Sequence, residues 1–137
     1  MRITLELIHQ EFMKYFNIDK NYINQKNRSI EIKIIRQLAH YLAKKYTSNT
    51  LDSIAFYFGR LNHATAINSC KKIQNLIDTN DEIVKNDYNY LDDRIQKLKD
   101  GEVKTIEQDL KEHTAKIVKD LSDNIKIYQK YETQETK

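Results

Sequence analysis

The chain has 137 residues, with no proline, two glycines and one cysteine, so it fits one domain or one compact domain with an appendage, and the near absence of turn-forming residues favours helices. A lone Cys70 excludes an internal disulfide, and no apolar run approaches the ~20 residues that span a bilayer or follows a basic start as in a signal peptide, so a cytoplasmic protein with no membrane attachment is expected. The net charge of +3 is unevenly spread: residues 20–72 hold ten lysines or arginines against two acids, a net of +8, while residues 85–137 stand at −1.

Residues 4 to 16 place Ile8, Phe12, Tyr15 and Phe16 at helical spacing behind Thr4 as a cap, which predicts a first amphipathic helix. Asn17 to Ser29 is polar, with Ile18, Tyr22 and Ile23 as its only anchors, and reads as a connection with one short helical turn ending in the basic Lys26-Asn27-Arg28. From Glu31 to Tyr46 an apolar stripe of Ile34, Ile35, Leu38, Ala39, Leu42 and Ala43 predicts the most strongly patterned helix, with Arg36, Gln37, His40, Lys44 and Lys45 off the stripe. Capping residues follow at 47–50. A short helix over Leu51–Phe58 then meets Gly59, which can take the left-handed backbone that ends a helix, and another helix opens near Asn62 with Ile67, Cys70, Ile73 and Ile77 turned inward. Two helices joined by a tight turn containing glycine form a helix-turn-helix.

Beyond Asn80 the pattern continues as two amphipathic helices broken at Asp100-Gly101, with a polar, disordered tail from about Glu132. The stripe from Leu91 to Tyr128 fits two arrangements. Gly101, His113 and a spacing that drifts from a strict heptad favour a hairpin folded onto its own domain; the other arrangement is a homo-oligomeric seam through 85–130. The domain boundaries expected are 1–84 and 85–137.

A compact basic block beside a balanced segment is the electrostatic footprint of polyanion binding, because each phosphate met by a cation releases condensed counterions. Catalytic and metal chemistry find no support. Cys70 has neither a second cysteine nor clustered histidines beside it and reads as a core filler, and His9, His40 and His113 are scattered over separate helices. No G-x-x-x-x-G-K-[ST] is present, so nucleotide binding through a P-loop is excluded on this chain, and no cofactor is expected.

Three segments carry a resemblance: I-I-R-Q-L-A-H-Y-L-A-K-K-Y-T (34–47), L-D-S-I-A-F-Y-F-G (51–59) and H-A-T-A-I-N-S-C-K-K-I (63–73). Together they resemble the C-terminal DNA-binding domain of the bacterial replication initiator DnaA, in which an Arg-Gln helix precedes a short helix ending in Phe-Gly and a recognition helix follows. The resemblance implies an all-α, DnaA-like and Trp-repressor-like helix-turn-helix domain, here with a C-terminal helical extension and without the ATPase. It also implies non-catalytic, sequence-specific binding of double-stranded DNA in the regulation of replication or transcription. A helical protein-interaction module engaging the replication machinery is the alternative.

Carried over position by position, the resemblance implies that Arg28 enters the minor groove from the loop and that Arg36, Gln37 and Lys44 meet phosphates or base edges beside the helix-turn-helix. Asn62, His63, Ala64 and Thr65 then occupy the turn of the recognition helix that reaches bases in the major groove. Two departures alter the chemistry. Leu61-Asn62-His63-Ala64-Thr65 stands where the family has Arg-Asp-His-Thr-Thr, and an Asn can pair with adenine where an Asp accepts from cytosine, so a changed DNA site is expected. Arg60 stands where the family usually has a second glycine and offers a phosphate contact.

Overall fold

The computed structural model describes residues 2–26, 29–101 and 105–135, with side chains through Asp123 apart from that of Glu107. Among the described residues there are six helices and no strand: α1 (Leu5–Phe16), α2 (Ile30–Tyr46), α3 (Leu51–Tyr57), α4 (His63–Asp78), α5 (Glu82–Lys99) and α6 (Ile106–Glu135). Each helix opens where a short polar side chain accepts from an N–H that the helix itself leaves unpaired. Thr4 serves Leu7 at 3.2 Å, Ser29 serves Ile32, Thr50 serves Ser53, Asn62 serves Thr65, Asp81 serves Val84, and Thr105 serves Gln108. At α6 the cap is reciprocal, because Gln108 Oε1 accepts from Thr105 N–H at 3.0 Å.

Two compact units divide the chain, Met1–Val103 and Lys104–Lys137. The first is built around Ile8 and Phe12 of α1, Leu38 and Leu42 of α2, Ile54 and Phe58 at α3, and Ile73 of α4, all essentially without exposure. The connection from Asn17 to Ser29 contains short turns in its described part, with Asn24 N–H donating to the Asn21 carbonyl and Gln25 N–H to the Tyr22 carbonyl three residues back, and it is anchored by the fully buried Ile23.

The boundary expected at residue 84 falls inside α5, and the structure places all of α5 in the first unit. Leu91, Ile95 and Leu98 of α5 are buried in the same core, and α5 packs on α1 and α4. Specific polar contacts accompany this packing. Arg94 Nε donates to Glu11 Oε2 at 3.0 Å with the carboxylate almost wholly buried, and Tyr15 donates to Asp87 at 2.7 Å while its ring stacks on Tyr90. Lys45 and Tyr46 of α2 both reach Asp92 at 2.6 Å.

The stripe expected to run as one feature through 85–130 is therefore split between the units. Its α5 part is core, whereas on α6 Leu110, Ile117, Val118 and Leu121 are exposed. Helix α6 continues through Glu135, past the point at which a disordered tail is expected. Among the described residues no helix is long and apolar enough to cross a membrane.

Candidate nucleic-acid interface

Helices α3 and α4 and the five residues between them form the helix-turn-helix. The turn is tight because its backbone takes a positive φ twice in succession: Gly59 has φ +116° and Arg60 has φ +56°. At Gly59 a Cβ would sit 2.6 Å from Arg36 Cδ, so both the backbone angle and the close approach demand glycine. Its N–H is held by Asn24 Oδ1 at 2.6 Å. Arg60 adopts the left-handed conformation that a glycine would take without steric cost, which gives a physical reason for a second glycine in this turn.

Two side chains of α2 hold this turn from beneath. His40, expected off the apolar stripe, is completely buried: it shares the inward arc with Leu38, Ala39 and Leu42. Its Nε2–H donates to the Phe58 carbonyl at 2.7 Å, and its Nδ1 accepts from the Ser69 hydroxyl at 2.9 Å. A carbonyl only accepts, so the tautomer follows from the geometry. Burial lowers the His40 pKa, the Phe58 carbonyl opposes that shift, and nearby Arg36 adds to it. The neutral ring thus ties α2, the turn and α4 together.

Arg36 is the second. Its Nε and one terminal nitrogen reach the Ile23 carbonyl at 2.9 and 2.8 Å, and the same terminal nitrogen reaches the Gln25 carbonyl at 2.8 Å. Burial depresses the pKa of this guanidinium. A group expected to meet phosphates or base edges is thus engaged in pinning the loop before α2 against the turn. Beside it Gln37 is half-buried, with Oε1 shut off from solvent and without a partner among the described residues.

The remaining sequence-derived candidates fall into two sets. Lys44 and Arg60 are exposed; Lys44 lines a groove between α2 and α4 together with Tyr41, Ile67, Cys70 and Lys71. Asn62, His63 and Ala64 are exposed and Thr65 is half-buried at the start of α4, with His63 Nδ1 3.8 Å from Asp52 Oδ1. Asn62 is the N-cap itself, its Oδ1 accepting from both the N–H and the hydroxyl of Thr65 at 3.1 Å. Arg28 lies outside the described residues.

Structure adds residues that sequence reasoning did not single out. Asn68, Lys71 and Lys72 are exposed on α4, and Asn68 and Lys71 stand four and seven positions after Ala64, on the same face. That spacing was the available signal. One member of the basic block leaves the candidate surface: Lys45 donates to Asp92 at 2.6 Å and to Tyr88 at 2.8 Å. Burial opposes its charge, yet these bonds outweigh burial and raise its pKa. Cys70 is buried, its thiol pKa raised by burial, and among the described residues no group of three His, Cys, Asp or Glu is placed to hold a metal.

The model of the bacterial DnaA protein helix-turn-helix matches residues 5–73. The chain belongs to this family. As a DnaA helix-turn-helix chain it is 31% identical over 96 residues to the chromosomal replication initiator protein DnaA of Flavobacterium psychrophilum, a stretch covering 70% of this chain and 19% of that protein. It is 37% identical over 89 residues to the corresponding protein of Ehrlichia ruminantium, covering 65% and 19%. With the DnaA of Chlorobaculum tepidum the identity is 35% over 81 residues, covering 59% and 16%. The chain thus spans about a fifth of the length of these relatives. The match to the helix-turn-helix model ends at Ile73 inside α4, while the identity to the DnaA of Flavobacterium psychrophilum runs over a longer stretch of 96 residues, and α5 completes the core of the unit.

Proposed function

We propose that this chain is a sequence-specific, non-catalytic binder of double-stranded DNA that regulates replication or transcription by occupying its sites. The observation that carries the reading is the outward face of α4 in a DnaA-family helix-turn-helix. Its N-terminal turn offers Asn62, His63 and Ala64, and Lys44, Arg60, Lys71 and Lys72 are exposed around it. The N-terminal residues of a second helix of this kind reach base edges while the cations around them meet phosphates. Arg36 and His40 contribute by holding the turn, and Arg28 adds a minor-groove contact from its loop.

Fluorescence anisotropy on short duplexes, at salt from 50 to 200 mM, tests the reading. Four to six phosphate contacts give a slope of roughly −3.6 to −5.4 in log affinity against log salt, a loss of roughly 150- to 2,000-fold over that range. Selection of bound sequences from a random duplex pool should return a defined site. Absence of binding at 50 mM salt would overturn the proposal and leave a helical protein-interaction module as the reading of the fold.

A further inference from the structure

Asn62 stands at the turn that the proposed function places against base edges, and the inference here rests on that reading. Its backbone is extended, with φ −99° and ψ 173°, and its side chain caps α4. The atom of the amide that faces Thr65 N–H at 3.1 Å is necessarily the oxygen, since a backbone N–H only donates. The Thr65 hydroxyl sits 3.1 Å from the same oxygen. Both lone pairs of Oδ1 are therefore engaged within the helix start. The planar amide then leaves Nδ2, with two hydrogens and no protein partner among the described residues, as the polar end of an exposed side chain.

Pairing an asparagine with adenine requires the amide oxygen to accept from N6 while the nitrogen donates to N7. Asn62 can perform only the second half. We propose that Asn62 reads DNA as a donor alone. It selects a base whose major-groove edge presents acceptors, guanine first through O6 and N7, then thymine through O4, and it discriminates most strongly against cytosine, whose N4 amino group would oppose Nδ2 donor to donor. Asn68, exposed on the same face and with its amide unengaged among the described residues, keeps both halves of the adenine-reading geometry. An adenine in the site is assigned to Asn68.

Selection from a random duplex pool, run in parallel on the full chain and on the Asn62→Asp, Asn62→Ser and Asn68→Ala variants, tests this. In the wild type one position should deplete cytosine against guanine by roughly 5- to 150-fold, the range of one good base contact. Asn62→Asp keeps a capping oxygen and exchanges the free donor for an acceptor, so that position alone should invert to favour cytosine. Asn62→Ser keeps the cap and removes the reach, so the position should flatten with the melting temperature retained, while Asn68→Ala should flatten a different position. Three results would overturn the assignment with the rest of the site still specific: adenine as the preferred base lost in Asn62→Ser, cytosine tolerated there by the wild type, or an Asn62→Asp site identical to the wild-type one. Loss of preference at every position in the wild type would overturn the interface reading beneath it.

Discussion

Arg36 separates two physical roles that predict opposite outcomes. As a phosphate contact its loss would remove one counterion-releasing charge and leave the fold intact. As a clamp its loss would leave the Ile23 carbonyl, in a fully buried residue, without its donors and would empty the space against Gly59. Hydrogen bonds from a charged donor contribute about 1.5–3 kcal/mol each, and part of that returns when water reaches the more exposed Gln25 carbonyl. A loss of about 2–4 kcal/mol is expected for Arg36→Ala, which lowers the melting temperature of a unit this size by roughly 8–30 °C. Arg36→Lys is the decisive partner: it keeps the charge but lacks the planar fork that serves two carbonyls at once, so it should recover less than half of the lost stability. Thermal melts by circular dichroism, with DNA affinity measured well below the transition, read both quantities. Melting temperatures within about 2 °C of wild type for both variants, with the salt slope of Arg36→Ala reduced by about one, would refute the clamp and restore the phosphate contact.

Three further outcomes follow from the same geometry. His9 and His40 are both buried with lowered pKa values, burial being the main cause in each. Above the unfolded value of about 6.5 neither state binds their protons; below it the unfolded chain takes up protons that the native state resists. Stability should therefore fall as pH drops below 6.5, by up to about 2.7 kcal/mol per pH unit if both rings resist fully, and urea midpoints unchanged between pH 7.5 and 5.5 would contradict this. Gly59→Ala should cost at least about 2 kcal/mol through strain and the encounter with Arg36, whereas Arg60→Gly should stabilise by up to about 1 kcal/mol, both read in thermal melts. Truncation after Ile83 removes Val84, Leu91, Ile95 and Leu98 from the core, about 6–12 kcal/mol of burial against a typical total of 5–15, so residues 1–83 should fail to show cooperative unfolding while residues 1–103 retain it.

Much of the fold was legible because it is written locally. The caps at Thr4 and Thr50, the apolar stripe of α2, the breaks at Gly59 and Gly101 and the inward Ile73 and Cys70 follow from period and punctuation alone. The fate of α5 was not legible. Its pattern matches that of α6, and what separates them is long-range: Glu11 meeting Arg94, Tyr15 meeting Asp87, and Lys45 and Tyr46 meeting Asp92. Each pair joins residues 46 or more positions apart, and no periodicity couples charges at that distance. The three segments that carry the family resemblance end at Ile73, so they gave no help there.

The candidate site shows the same division at the scale of single hydrogen bonds. Sequence places Arg36, His40, Lys45 and Asn62 near the helix-turn-helix, but residue type names only what a side chain is able to bond. It does not tell which of those bonds the protein has already made. Arg36 spends its fork on loop carbonyls, His40 spends both nitrogens on the turn and α4, Lys45 spends its charge on α5, and Asn62 spends its oxygen on a cap. Apart from that of Lys45, which answers the Asp92 carboxylate, these commitments meet backbone groups: the Ile23 and Phe58 carbonyls and the Thr65 N–H would each be costly to leave unmet. Under the proposed function, recognition is therefore left to the side-chain groups that folding does not use. At α4 these are the donor Nδ2 of Asn62, the ring of His63 and the amide of Asn68, beside the apolar Ala64 methyl, with the exposed charges of Lys44, Arg60, Lys71 and Lys72 around them. On this proposal the family motif fixes where the reading helix lies, while the hydrogen bonds made in building its first turn determine which base edge that turn can accept.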